Sequence, residues 1–258
     1  MRLKIVDLKP DNVSQALCCQ FRKGYWVRGV EERKKFLLWR LNEGKVRGKV
    51  AVEGEKGLGW IDYYPRGNGW VRIGCIDVLK ENCSRGVGRA LVNACLDDCR
   101  RSKGVIVGAT VWDHMPKGFF KKCGFFDTDE KADVSLMAVK FGKEEPPRTG
   151  KEQAQKKYKP KLETGKLVID MFDDGQCPVS CVTRQLVKEA AMDFSDKVII
   201  GEYDTKDKTV VEEFGYMGGI FLDGEGVFFG YPDKEYQGMI GEIREVLRKK
   251  LEAKRKRV

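Results

Sequence analysis

Between Lys143 and Lys166 the chain reads KEEPPRTGKEQAQKKYKPKLETGK, and in it all apolar periodicity stops. A stretch of this composition holds too few apolar side chains to close a core, so it reads as a linker. It divides the sequence into a first domain over residues 1–142, a basic linker over 143–166 and a second domain over 167–258. A length of 258 residues agrees with that division, because single cores stop growing near this size.

The formal net charge of +10 belongs to particular segments. The linker carries eight Lys/Arg against four Glu, and residues 248–258 carry seven against one, which accounts for the whole excess. Both domains are therefore near neutral, and a basic C-terminal tail is expected beside the basic linker. A nucleic-acid reader needs its charge on one folded face with motifs to match, so no specific nucleic-acid partner is expected. A weak contact with an acidic partner stays open. No run approaches the length of a membrane span, and the N-terminus MRLKIVDLKP has no apolar signal region, which points to a cytoplasmic protein without a membrane partner. Nine cysteines without a signal peptide imply reduced thiols. Cys18, Cys19, Cys75, Cys95 and Cys99 lie in apolar-periodic segments and read as packing residues. With His114 the one histidine, no metal site of the Cys/His kind is expected.

The first domain opens with an alternating strand, Arg2 to Leu8, and a helix starting near Asn12. A second helix spans Glu31 to Leu41. Three strand patterns follow at Val46–Val52, Gly57–Tyr64 and Trp70–Leu79, then a helix from Gly88 to Ser102 and a buried strand from Val105 to Val111. A short helix from Pro116 to Lys122 and hairpin strands within Phe125–Phe141 complete a mixed α/β sheet with helices on its faces. In the second domain the order is strand Leu167–Phe172, helix Pro178–Ala191, strand Val198–Tyr203, strands Gly219–Asp223 and Gly226–Phe229, and helix Tyr236–Ala253.

The segment Ile76 to Leu91 reads as strand, glycine-containing loop and helix start. Backbone N–H groups converge at such a helix N-terminus, and Gly86 and Gly88 let a phosphate approach closely. Alone, the glycines could equally serve a tight turn. Together with Phe119-Phe120-Lys121-Lys122-Cys123-Gly124-Phe125, however, the segment resembles the GNAT acetyltransferases: the first matches motif A of that family and the second its Phe-Tyr-x-Lys-x-Gly-Phe stretch. The resemblance covers residues 1 to about 142 and implies the GNAT fold, acetyl-CoA as cofactor and an amine acceptor, either a small molecule or a peptide.

It further implies that the amides of Arg85, Gly86, Val87, Gly88, Arg89 and Ala90 hold the pyrophosphate. The strand around Val78 would pair with the pantetheine arm, and an N–H of Val78 or Leu79 would polarise the thioester carbonyl. Asp113 stands where many members carry Asn at the cofactor. Cys83 replaces the usual Gln/Arg, and Phe120 replaces the Tyr that often protonates the leaving thiolate. Deprotonating the acceptor needs a base, for which Asp62, Asp77, Glu81, Asp113 and His114 are candidates, none privileged by the sequence. Trp60, Asp62 and Tyr64 alternate onto one face of their strand, with Tyr63 on the other.

In the second domain, Cys177-Pro178-Val179-Ser180-Cys181 follows a strand and opens a helix. Proline suits the first helical turn, and a helix N-terminus favours a thiolate. The segment resembles the active-site turn of thioredoxin-like domains, although three residues separate the cysteines instead of two. The order of the two domains resembles the YoaP-like proteins. Cys177 and Cys181 are read as a reactive thiol pair, with a soft-metal site and structural cysteines as the other readings. The oligomeric state is left open.

Overall fold

A computed structural model of the chain describes residues 2–16, 24–112, 116–131, 134–145, 158–215, 218–229 and 235–255. It contains two compact units, one formed by Met1–Arg22 with Leu37–Thr149 and the other by Lys23–Phe36 with Gly150–Val258.

In the first unit a seven-stranded sheet is ordered β1-β2-β3-β4-β5-β7-β6. Its strands are β1 Lys4–Asp7, β2 Arg47–Glu53, β3 Lys56–Gly67, β4 Trp70–Val78, β5 Ile106–Trp112, β6 Phe126–Lys131 and β7 Val134–Lys140. All neighbours are antiparallel except β4 and β5, which run parallel and pair only at Trp70–Arg72 with Ile106–Gly108. Helix α1 covers Val13–Ala16 and α2 Val27–Asn42, while α3 covers Val87–Arg101 and α4 Lys117–Lys122. Val87, Leu91, Val92, Cys95, Leu96 and Cys99 recur at helical spacing and bury one face of α3. That face joins Ile61, Tyr63, Val71, Ile73, Val107 and Met137 of the sheet in one core.

The second unit has a four-stranded sheet ordered β11-β10-β8-β9. β8 (Leu167–Asp173) and β9 (Val198–Asp204) are parallel. β10 (Gly219–Leu222) is antiparallel to β8 and to β11 (Glu225–Val227). Helix α5 (Pro178–Ala191) follows β8, α6 (Lys208–Phe214) follows β9, and α7 (Tyr236–Arg255) closes the unit. Every residue of β8 is buried, as expected for a central strand covered on both faces. Phe172 points into an aromatic cluster with Tyr158, Tyr203, Phe214 and Phe221.

The fold departs from the sequence-based expectations in four places. Residues 23–36 cluster with the second unit, because Gly29 and Arg33 of α2 pack on the 175–178 turn: a Cβ at Gly29 would lie 2.2 Å from the Pro178 carbonyl oxygen. Helix α6 is unexpected, since its Thr-Val-Val run favours a strand; the Asp207 carboxylate caps it by accepting from the Thr209 N–H at 2.9 Å. The expected linker ends early, since Tyr158 donates to buried Asp170 at 2.5 Å and belongs to the aromatic cluster. Lastly, the basic segment is not a free tail: residues 248–255 form the final turns of α7, two residues beyond the helix end expected at Ala253. Leu251 is buried there, Lys254 pairs with Asp223 at 2.9 Å and Lys250 pairs with Glu225. Among the described residues no helix is long and apolar enough to cross a membrane.

Deleting residues 248–258 therefore removes the buried Leu251, worth about 1.5–3 kcal/mol, together with the Lys254 ion pair. A thermal melt followed by circular dichroism is expected to lose about 5 °C or more, and an unchanged melt would show that these turns carry no stability.

Candidate functional site

The sheet of the first unit opens where β4 and β5 part. Beyond Arg72 and Gly108 the two strands no longer pair, and Gly74 is an extra residue on β4, since Asp62 faces Cys75 while Tyr63 faces Ile73. Such a bulge bends its strand and strengthens the local twist. The last part of β4 thus presents backbone groups to a gap in the sheet. Which groups face it follows from the register. Leu79 N–H donates to the Leu58 carbonyl at 3.0 Å, so Leu79 is spent on β3 and cannot be the polarising donor. Bonded and non-bonded pairs alternate, so Val78, opposite Gly59, turns its N–H toward the gap.

Directly after this strand end, the loop Leu79–Gly86 leads into α3. Gly86 is its N-cap at φ +79°, a left-handed conformation that a side chain resists, and no side chain caps the helix. An α-helix leaves its first four N–H groups without intrahelical partners, here those of Gly86, Val87, Gly88 and Arg89. The two outer amides implied by the motif are spent instead. Ala90 N–H closes the first helical bond to Gly86 O at 3.0 Å, and Arg85 N–H donates to Asn82 O at 3.3 Å. The Arg85 guanidinium bonds Asn82 Oδ1 at 2.8 Å and lies 3.6 Å from Glu53, which braces the loop from outside. Space above Gly86 is open, whereas a Cβ at Gly88 would meet the Phe119 ring at 3.2 Å. Four convergent donors, a positive helix end and an open approach fit a pyrophosphate.

Phe120 is buried in the core, edge-on to Phe119 and Phe125, and Phe119 is the ring beside the cradle. The motif's Tyr position points to Phe120 as the cofactor contact, and nothing in the motif foretells the role of Phe119.

The acid-base candidates spread out. Asp77 is half-buried on β4, one residue before Val78 and opposite Trp60. It shares a sheet face with Trp60, Asp62 and Cys75, because Ile76 and Val78 turn the other way into the core. Asp62 is 1% exposed, so it is not an open base. Glu81 is exposed, 3.9 Å from Lys56. Asp113 and His114 lie outside the described residues, as do Cys18 and Cys19. Tyr63 is buried and donates to Asp98 at 2.6 Å, and burial with that carboxylate pushes its hydroxyl far above its ordinary value. Tyr64 is half-buried with the Arg40 guanidinium 5.4 Å from its ring.

In the second unit Cys177 is exposed and serves as the N-cap of α5, with Pro178 in the first turn. The turn before it is fixed by Asp174, which accepts from Gln176 N–H at 2.8 Å, and by the buried Arg33, which donates to Gln176 O at 2.6 Å. Cys181 lies one turn inside and is 4% exposed. Its S–H donates to Asp173 Oδ2 at 3.4 Å, and Arg184 approaches the same oxygen at 3.3 Å. Burial first, and the Asp173 carboxylate second, push the Cys181 thiol well up; burial likewise raises Asp173, opposed by Arg184. Sequence reasoning finds both cysteines but not Asp173 or Arg184, although β8 ending in Asp at the sheet's buried end is a readable signal.

Residues 11–125 match the model of the Acetyltransferase (GNAT) family. A curated relative, an uncharacterized N-acetyltransferase called YoaP from Bacillus subtilis, is 26% identical over 149 residues, which is 52% of this chain and 58% of the relative. The match thus spans little more than half of that relative. Among solved structures, the PaiA N-acetyltransferase of Thermoplasma acidophilum in complex with coenzyme A is 14% identical, with a TM-score of 0.47, over 55% of this chain and 100% of its own. A ribosomal-protein-alanine N-acetyltransferase from Brucella melitensis is 15% identical, with a TM-score of 0.43, over 54% of this chain and 99% of its own.

Two measurements follow from the geometry. Gly88→Glu drives a side chain into Phe119 and sets a negative charge beside the uncapped helix end; calorimetric affinity for coenzyme A is expected to fall at least about tenfold, the equivalent of ~1.4 kcal/mol, and unchanged affinity would remove the cradle assignment. Iodoacetamide at neutral pH is expected to label Cys177 first, with Cys181 following only as pH rises, because deprotonation of Cys181 is opposed by burial and by Asp173. Equal, slow labelling would make both cysteines structural.

Proposed function

We propose that the first unit is an acetyl-CoA-dependent N-acetyltransferase acting on an amine acceptor, and that the second is a thioredoxin-like domain with a reactive thiol at Cys177. The observation that carries the first half is the uncapped start of α3 directly beside the gap between β4 and β5. Acetyl-CoA, when bound, supplies the acetyl group as an activated thioester. The N–H groups of Gly86 to Arg89 hold the pyrophosphate. Val78 N–H, turned toward the gap, donates to the carbonyl oxygen and stabilises the charge that builds there. Asp77 is the proposed base: it sits one residue from that donor, half out of solvent, and can take the proton of an approaching ammonium. Glu81, on the exposed loop, is the second choice. Phe120 has no hydroxyl and Tyr63 is buried on Asp98, so the proton for the leaving sulfur falls to Tyr64, His114 or water.

The reading of the second unit is supported by its strand order, with β8 and β9 parallel, a β10–β11 hairpin on the far side, and α5 starting at Cys177 straight after β8. The alternative for the whole chain is a thiol-redox or binding protein whose GNAT-type domain holds coenzyme A without transferring acetyl. Burial of Phe120 favours it, since no hydroxyl stands at that position.

Mass spectrometry of an amine and peptide panel with acetyl-CoA separates the two readings, and acetylated product is expected. Asp77→Asn should lower turnover by about 100-fold or more while leaving coenzyme A affinity in place. Phe120→Tyr should cost stability, by about 1–3 kcal/mol, and bring no gain in rate, because its hydroxyl would enter a packed core. A faster Phe120→Tyr enzyme would place that ring at the sulfur after all, and tight coenzyme A binding with no product from any acceptor would favour the binding protein.

A further inference from the structure

β9 is the edge strand of the second unit's sheet, and it is an unusually open one. It pairs with β8 along all seven residues, Val198 to Asp204, without a bulge. Among the described residues of its unit, no second strand or helix runs along its outer side. Its sequence, VIIGEYD, contains neither proline nor lysine, and Ile199 and Ile200 are 38% and 36% exposed. Edge strands of monomers are usually blunted by bulges, prolines or inward charges, because a bare edge is a template for another strand. Bulge and proline are absent here, and the strand's two charges, Glu202 and Asp204, are held within the chain by Lys188 and Lys206 at 3.0 Å each.

We propose that this edge pairs with the same edge of a second copy, antiparallel about a twofold axis, to give one continuous eight-stranded sheet. A twofold axis perpendicular to a sheet keeps each side chain on its own face, so it must pass through a residue paired with itself. Charge selects that residue. Centring on Glu202 opposes two glutamates, centring on Ile200 opposes Asp196 to Asp204, and centring on Ile199 opposes Asp196 to Glu202. Centring on Gly201 opposes no like charges: Ile199 meets Tyr203, Ile200 meets Glu202, whose carboxylate Lys188 already holds at 3.0 Å, and Asp196 meets Lys206 just beyond the strand ends. Gly201 also cannot gain a side chain, since a Cβ there would lie 2.5 Å from Asp170 Oδ1 and 2.8 Å from the Tyr203 ring. At the axis, therefore, the two strands meet without bulk. The inference is independent of the activity proposed for either unit.

Light scattering on the full chain tests it, with a dimer expected whose population rises with concentration. Ile200→Glu, which sets a second glutamate opposite Glu202 on each arm, should return a monomer with unchanged circular dichroism. Asp196→Lys and Lys206→Asp should each weaken the dimer several-fold, and the double exchange should restore it, because each arm of the twofold then regains opposite charges. A monomeric mass at the highest soluble concentration would overturn the self-pairing and leave the edge to a strand of another protein. A dimer indifferent to Ile200→Glu would also overturn it, and a double exchange that fails to restore the dimer would overturn the register.

Discussion

The chemistry proposed for this chain depends on a pairing that is started and then abandoned. β4 and β5 exchange hydrogen bonds over three residue pairs and separate, with Gly74 inserted as the extra residue on β4 just after the last of them. Parallel strands in a closed sheet would consume every backbone group between them. Here the separation leaves Val78 facing a gap, and the chain enters α3 within one loop of that point. Strand end and helix start thus deliver two kinds of backbone donor to one place. Neither needs a side chain, so Cys83, standing where the GNAT motif has Gln or Arg, removes none of the donors proposed for a phosphate.

Much of this fold is legible in the amino-acid sequence alone, and the parts that are not have identifiable causes. Helix α5 runs from Pro178 to Ala191 as its pattern predicts, because proline starts it and its apolar spacing is regular. Helix α6 escapes because a Thr-Val-Val run of β-branched residues reads as strand, and only the Asp207 cap argues for helix. The end of the linker is hidden because Tyr158 sits alone among charged residues; its burial depends on Phe172, Phe214 and Phe221, which no local pattern links to it. The basic end looks like a tail because Lys and Arg outnumber Leu there, yet Leu247 and Leu251 hold it as a helix and the acidic partners come from the β10–β11 hairpin.

The site is legible as a motif but not as a geometry. Spacing puts the proposed phosphate cradle within Arg85 to Ala90, yet only register and helix bonding divide the six amides into four available and two spent. The same holds for Val78 and Leu79, neighbours in sequence with opposite fates. A motif position likewise misdirects at Phe120, where identity with a family slot says nothing of which ring of a Phe-Phe pair turns inward. In the second unit the cysteines announce themselves, whereas Asp173 and Arg184 gain meaning only when β8 and α5 bring them to Cys181.

Residues 23–36 belong to a compact unit whose remainder begins at Gly150, and this has a consequence for biosynthesis. The bond from Arg33 to the Gln176 carbonyl spans 143 residues of sequence. At translation rates of about 5–20 residues per second, the first half of α2 would wait roughly 7 to 30 seconds after its own synthesis before the turn that covers Gly29 and Arg33 exists. During that interval the growing chain displays a helix face shaped for a partner not yet made. The nascent protein is therefore most open to chaperones, and to mispairing with neighbouring chains on the same message, while its N-terminal half is complete and its C-terminal half is still being synthesised.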